Sequence, residues 1–101
     1  MCVSENRQQT GTGTPRTRRP FPKGDTLPGF PGAYKTRAKT PRSGGGRRSR
    51  WKTAEGMIIE RDYLHDTVKV YDSLGRRHLG DFDPWDGRRI GDPDPARSVE
   101  P

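Results

Sequence analysis

The chain has 101 residues, of which 26% are hydrophobic, and its formal net charge at pH 7 is +7. This size allows one small domain and excludes a large buried core. A single cysteine excludes an intramolecular disulfide, and one cysteine with two histidines is too few for a usual four-ligand zinc site. No run approaches the roughly 18 apolar residues that a membrane span needs. We therefore expect neither a metal centre nor a membrane span.

The charge is divided unevenly along the chain. Residues 1–52 hold thirteen Lys/Arg and two Asp/Glu, whereas residues 53–101 hold seven Lys/Arg and eleven Asp/Glu. A cationic arm joined to an acidic segment is typical of a protein that grips a polyanion and reacts or binds elsewhere. Such a grip would be independent of base sequence, because Lys and Arg neutralise phosphates whatever the base. The alternative is a solvated disordered tail on a small domain.

The first predicted segment, residues 1–22, is polar, basic and rich in Thr, Gly and Pro, and we predict a disordered leader. It lacks the apolar stretch of a secretory signal peptide, so we expect any export to use another route. Its GTGTPR sequence lacks the third glycine and the preceding strand of a dinucleotide-binding fingerprint. No cofactor is predicted.

Residues 23–50 are predicted to form an extended arm of one domain that covers residues 23–101. Prolines and glycines are frequent in residues 23–43, which makes regular structure improbable there. We expect this part of the arm to lie over the domain, anchored by Leu27, Phe30 and Tyr34.

The arm ends in a glycine-rich and basic run, SGGGRRSRW, from Ser43 to Trp51. Glycines let a backbone approach a phosphate closely, guanidinium groups fit phosphate oxygens, and an indole can stack on an unpaired base. The run therefore indicates RNA binding. The alternatives are a flexible joint for the glycines and a core position for Trp51.

Residues 51–99 are predicted to form a small antiparallel β-sheet. Candidate strands are Met57–Tyr63, Thr67–Asp72, Arg76–Asp83 and a last short strand at residues 88–90, separated by turn signals about ten residues apart. No window shows sustained helical periodicity. The expected fold class is mainly β, an antiparallel meander with a long irregular basic segment before it.

The first predicted hairpin groups side chains that can cleave RNA. Asp62 and His65 flank its turn, and alternation along the next strand puts Thr67, Lys69 and Tyr71 on one face. Cleavage of a phosphodiester at the 2′-hydroxyl needs a base, an acid and a cation near the phosphate, and no metal, because RNA carries its own nucleophile. The alternative is that these are solvated turn residues.

Several motifs together resemble the cytotoxic ribonuclease domain of the ribosome-inactivating E-group colicins and cloacin, which also occurs in polymorphic, contact-dependent bacterial toxins. They are the GGG-basic-Trp run, Glu-x-Asp-x-x-His, His-Leu-Gly-x-Phe-Asp-Pro and Pro-Asp-Pro-x-Arg, in this order between Lys23 and Pro101. The resemblance implies a highly twisted antiparallel sheet and a ribonuclease that cuts 16S rRNA in the decoding centre of the small ribosomal subunit. It also implies an acidic immunity protein as a partner and action in the cytoplasm of the target bacterium.

The resemblance assigns catalytic roles to Asp62, His65 and Arg97. It also implies that the basic run before the Trp, here Arg47, Arg48 and Arg50, holds rRNA. Together with Arg42, Trp51, Lys52 and Tyr71, these are the predicted RNA-binding residues. His78 is interpreted as a strand residue that supports the sheet.

One position departs from the family pattern, because Lys69 stands where the family carries its catalytic Glu. We consider three explanations. Lys69 is the base, which needs its pKa to fall by roughly three units; or the base is Asp62, Asp66 or His65 and Lys69 stabilises the phosphate; or the protein binds RNA and cleaves it slowly or not at all. Glu60 is a reserve candidate for the base.

Overall fold

The computed structural model describes residues 19–101, and most of the predicted leader lies outside these residues. One six-stranded sheet has the strands in chain order, each antiparallel to the next. The strands are β1 (Tyr34–Thr36), β2 (Arg50–Lys52), β3 (Ile58–Asp62), β4 (Thr67–Tyr71), β5 (His78–Phe82) and β6 (Arg89–Gly91). The predicted mainly β fold with an antiparallel meander is confirmed. Across residues 19–101, no helix is long and apolar enough to cross a membrane.

The sheet has two chemically different faces because side chains alternate along each strand and cross-strand partners share a face. Ile59 lies opposite Val70, and Arg61 lies opposite Val68, on what we call the apolar face. The other face, which we call the polar face, is defined by cross-strand pairs of neighbouring strands from β2 through β5. They are Arg50 with Glu60, Glu60 with Lys69, Asp62 with Thr67, Lys69 with Asp81, and Tyr71 with His78.

The hydrophobic core lies on the apolar face. Its buried members come from the arm and from β2, β3 and β4: Phe21, Leu27, Trp51, Ile59, Val68 and Val70. Phe30, Ala33, Met57, Leu79 and Phe82 pack around them. A single sheet of this size has no second layer, so the irregular arm supplies the other side of its core.

The arm follows the prediction in part. Leu27 is 2% exposed and Phe30 packs against the core, as expected, but Tyr34 is 54% exposed and anchors nothing. The expectation that residues 23–43 hold no regular structure is also wrong, since β1 pairs with β2 in this region. Three residues free of proline and glycine suffice there, because the backbone of β2 offers the hydrogen-bonding partners.

Packing against the core begins before residue 23. The Phe21 side chain is 9% exposed, and its ring centroid lies 6.0 Å from that of Trp51. The Trp51 indole N–H donates to the carbonyl of Asp25 at 2.8 Å, which fixes the arm over the sheet.

A β-bulge distorts β5 opposite Val70 and Tyr71. Gly80 sits there with φ 138°, a conformation that side chains disfavour. The extra residue lets His78 and Asp81, three positions apart, both lie on the polar face. Beyond β6 the tail returns across this face, where the Asp94 N–H donates to His78 Nδ1 at 2.9 Å.

Candidate active site

The hairpin between β3 and β4 is held by the side chain of Asp62. Its Oδ1 accepts the backbone N–H groups of Leu64 (3.0 Å) and His65 (3.2 Å), an Asx-turn that fixes the loop at residues 63–66. Asp66 completes the turn with φ 54°, which Asp tolerates better than most residues. The loop conformation therefore places His65 beside Asp62.

Asp62 and His65 form a carboxylate–imidazole pair. Nδ1 of His65 lies 2.9 Å from Oδ2 of Asp62, and the side chains are 66% and 7% exposed respectively. When Nδ1 carries the proton that is donated to Asp62, Nε2 is left as the proton-accepting atom of the exposed ring. Asp62 fixes the tautomer of an imidazole that solvent or substrate can reach.

Asp62 itself stays ionised. Burial acts to raise its pKa, but the hydrogen bond from His65, the charge of Lys69 and the backbone N–H groups together lower it from 3.8 to about 2. A carboxylate this acidic is a poor proton acceptor near neutral pH. Asp62 therefore suits the role of orienting His65 better than the role of the base.

The Lys69 side chain extends from β4 to a position between two carboxylates. Its ammonium lies 3.3 Å from Asp62 Oδ2 and 3.1 Å from Asp81 Oδ1, and its side chain is 10% exposed. Because both neighbours are carboxylates in ion-pair contact with it, Lys69 suits the role of a fixed cation better than the role of the base.

Arg97 reaches the polar face from the tail. Its guanidinium forms a hydrogen bond with the phenol of Tyr71 on β4. Burial raises the pKa of Tyr71, and this hydrogen bond and the charge of Arg97 oppose that rise. Tyr71 and Lys69 are two positions apart on one strand and share a face. His65, Lys69 and Arg97 thus lie on one side of the sheet.

His78 has the structural surroundings expected of it. Its side chain is 2% exposed, Nε2 lies 3.0 Å from Asp81 Oδ1, and Nδ1 accepts the Asp94 N–H. Because Nδ1 is an acceptor, Nε2 is the nitrogen that donates to Asp81.

The remaining candidates for the base lie elsewhere. The Asp66 carboxylate pairs with Arg61 at 3.2 Å, and Arg61 belongs to the apolar face. Glu60 is on the polar face but is buried against Arg50, with the guanidinium Nη2 2.6 Å from its Oε2. Glu60 is therefore closed to a substrate, whereas Asp66 is 35% exposed and its carboxylate is engaged by Arg61.

For three residues, the structure corrects the prediction that they bind RNA. Arg50, Trp51 and Tyr71 are 1%, 2% and 1% exposed. Arg50 neutralises Glu60, Trp51 fills the core as its alternative reading proposed, and Tyr71 packs beside His78 with ring centroids 5.3 Å apart. Buried side chains cannot stack on a base or reach a phosphate.

The other four predicted RNA-binding residues are accessible. Arg42 and Arg47 are exposed, and Arg48 and Lys52 are partly exposed. The charge of Arg48 lowers the pKa of Tyr71 against the larger effect of burial, so this part of the basic run lies near the polar face. These four remain predicted RNA contacts.

Sequence reasoning missed a stack of alternating rings and guanidinium groups beside the hairpin. Arg61 lies 4.2 Å from the Phe21 ring centroid and 4.4 Å from that of Tyr63, and Arg42 covers Tyr63 at 3.6 Å. Ser49 Oγ lies within hydrogen-bonding distance of the Tyr63 hydroxyl, at 3.1 Å. The stack ties the arm to the loop that carries His65. The only sequence signal for this stack is that the arm and the hairpin contain both arginines and aromatic residues.

Sequence reasoning also missed Asp81 as a member of the charged cluster on the polar face. The bulge in β5 decides its position, and the sign of it that the sequence carries is Gly80 within the strand.

Comparison with known proteins places this arrangement in a family. The family model described as Cytotoxic matches residues 20–100. The chain is 38% identical to colicin E3 of Escherichia coli over 88 residues, and 35% identical over 83 residues to both colicin-E6 and cloacin of the same organism. These alignments cover 85%, 80% and 80% of this chain but only 15% of each relative. The chain therefore belongs to the Cytotoxic family, whose sequence pattern it carries on a single antiparallel sheet.

Proposed function

We propose that this protein is an endoribonuclease toxin that cleaves 16S rRNA in the decoding centre of the small ribosomal subunit and so halts translation. The observation that carries the proposal is the Asp62–His65 pair, 2.9 Å apart and partly open to solvent, on the face that also holds Lys69 and Arg97. Its colicin and cloacin relatives support the same activity.

The reaction is a transesterification that uses the substrate's own hydroxyl group. Nε2 of His65 takes the proton of a ribose 2′-hydroxyl, and the 2′-oxygen attacks phosphorus. The bond from phosphorus to the 5′-oxygen breaks, and that oxygen takes up the proton from Nε2 of His65, which returns the imidazole to its starting form. The products are a 2′,3′-cyclic phosphate, which water can open, and a free 5′-hydroxyl.

The cations of the site stabilise the charge that grows on the phosphate in the transition state. Lys69 supplies a fixed ammonium and Arg97 a planar guanidinium, which suits two phosphate oxygens at once. Asp62 keeps His65 in the proton-accepting tautomer. No step in this scheme requires a metal ion, and no cluster of His, Cys, Asp and Glu within residues 19–101 is arranged to hold one.

The basic run docks the enzyme on rRNA through its accessible cations, Arg42, Arg47, Arg48 and Lys52. Such contacts depend on salt and carry no base information. An acidic immunity protein is the expected partner in the producing cell, since charge complementarity with this run would speed association. The toxin would act in the cytoplasm of the target bacterium after delivery into that cell.

The test is incubation of the purified protein with intact ribosomes, followed by gel analysis of the RNA. We expect one discrete 3′ fragment of small-subunit RNA, and no fragment with His65→Ala. Retardation of RNA without a cut would show a binding protein instead of an enzyme. A cut that survives His65→Ala would leave the activity in place and refute the site assignment.

A further inference from the structure

Lys69 is flanked by carboxylates from both neighbouring strands of the sheet. Asp62 on β3 lies 3.3 Å away and Asp81 on β5 lies 3.1 Å away, and Asp81 is the direct cross-strand partner of Lys69. The resemblance noted in the sequence implies a Glu at position 69. In this chain, Asp81 on the next strand contributes an acidic group beside that position.

The side chains of His65 and Lys69 compete for one oxygen atom of Asp62. Oδ2 of Asp62 lies 2.9 Å from Nδ1 of His65 and 3.3 Å from Nζ of Lys69. An ammonium with no other acceptor would close on Asp62 and weaken its hydrogen bond to His65, because a charged donor binds a carboxylate more strongly than a neutral one. Asp81 gives the ammonium a second acceptor on its opposite side.

Asp81 is itself held in place from two directions. Its Oδ1 accepts Nε2–H of His78 at 3.0 Å, and His78 is fixed in that tautomer by the Asp94 N–H. Gly91 on β6 leaves room for the carboxylate, since a Cβ there would lie 2.9 Å from Asp81 Oδ2. The Asp81 side chain remains 29% exposed, so the polar face can hold a substrate beside it.

We propose that Asp81 is a positioning residue of the active site, which holds the Lys69 ammonium between two carboxylates so that Asp62 keeps His65 oriented. This inference rests on the proposed ribonuclease function. It also explains how the site accommodates Lys69: with a Glu at position 69, three carboxylates would meet in one cluster. The substitution that restores the family residue, Lys69→Glu, is therefore damaging on its own.

The test measures single-turnover cleavage of ribosomes at several enzyme concentrations, which separates the maximal rate from the half-saturating concentration. In Asp81→Asn the maximal rate should fall about 10- to 100-fold, the effect of a misplaced catalytic group, with half-saturation unchanged. Asp81→Glu should keep most of the rate because it keeps the charge. Asp92→Asn is the matched control, since its carboxylate is 95% exposed, and it should cleave like wild type.

A second pair of variants tests the charge balance directly. Lys69→Glu should cleave at least about tenfold more slowly than wild type. Lys69→Glu with Asp81→Asn should cleave faster than Lys69→Glu, because it returns the cluster to two carboxylates, but more slowly than wild type, because the Lys69 ammonium is still missing. Urea unfolding of every variant identifies losses caused by unfolding. If Asp81→Asn does not fold, Asp81→Glu and the double variant decide.

The outcomes separate the two proposals. If the wild type cuts no RNA, the proposed function fails. If the wild type cuts and folded Asp81→Asn cuts at the same maximal rate, the positioning role is wrong. It is also wrong if only half-saturation changes, since Asp81 would then act in RNA binding, or if the double variant stays as slow as Lys69→Glu.

Discussion

The Arg50–Glu60 pair offers a sharp test of which basic residues bind RNA and which stabilise the fold. Both side chains are 1% exposed, and the guanidinium makes contacts of 2.6 and 3.1 Å to one Glu60 oxygen. Replacing Arg50 with Met leaves a buried carboxylate without its counter-charge. Breaking a buried pair in this way costs about 3–5 kcal/mol.

A loss of this size is large for a domain whose total stability is about 5–15 kcal/mol. For a domain of this length, each kcal/mol lowers the melting temperature by about 4–8 °C. Arg50→Met should therefore unfold at much lower urea concentration, as followed by tryptophan fluorescence. Arg50→Met with Glu60→Leu should return to within about 1.5 kcal/mol of wild type, because an apolar pair often replaces a buried ion pair at little cost.

Arg47→Met is the matched control, since Arg47 belongs to the same basic run and is exposed. It should change stability by less than about 0.5 kcal/mol. Instead it should weaken ribosome binding and lower the slope of the salt dependence by about one. Unchanged unfolding of Arg50→Met would refute the assignment of Arg50 to the fold.

Three further predictions concern the hairpin and its charges. Because the folded pKa of Asp62 is lowered to about 2, its stabilising effect is present above its ordinary pKa of 3.8 and is lost as pH falls through 2; after solvent screening we expect about 1–2 kcal/mol, and Asp62→Asn should remove this part of the acid dependence in urea unfolding. In Lys69→Met the basic limb of the pH–rate profile should persist, whereas its disappearance would make Lys69 the base. At Asp66, where φ is 54°, Ala should be about 1 kcal/mol less stable than Gly, and equal stability would contradict the left-handed turn.

The strands from β3 onward could be predicted because their residue pattern is local. Alternation at Thr67–Tyr71 and turn signals on either side mark β4 directly. β1 and β2 have three residues each, too short for a pattern, and they exist because they pair with each other and β2 pairs with β3. Pairing over that range cannot be seen in a window of sequence.

The kind of site could be predicted from the sequence better than the full set of residues that belong to it. The spacing of Asp62 and His65 around a turn indicated their contact, which the structure gives at 2.9 Å. Arg50 was misassigned because its burial could not be predicted. The sequence of a basic run does not distinguish an arginine that faces water from one that pairs with a buried Glu. Asp81 was missed because a bulge sets its register.

The path by which Arg97 reaches the polar face has a consequence for proteolysis of the protein. The chain between Gly91 and Arg97 belongs to no strand and several of its residues are exposed, although Asp94 is bonded to His78. A protease that cuts in this stretch would leave Arg97 held by the contacts of the last residues, such as the Val99 N–H to the Gly75 carbonyl at 2.7 Å, while the six strands and their core stay assembled. Under the proposed function, a clipped molecule that loses Arg97 would still bind rRNA through its basic run without cutting it, and would compete with intact protein for the ribosome.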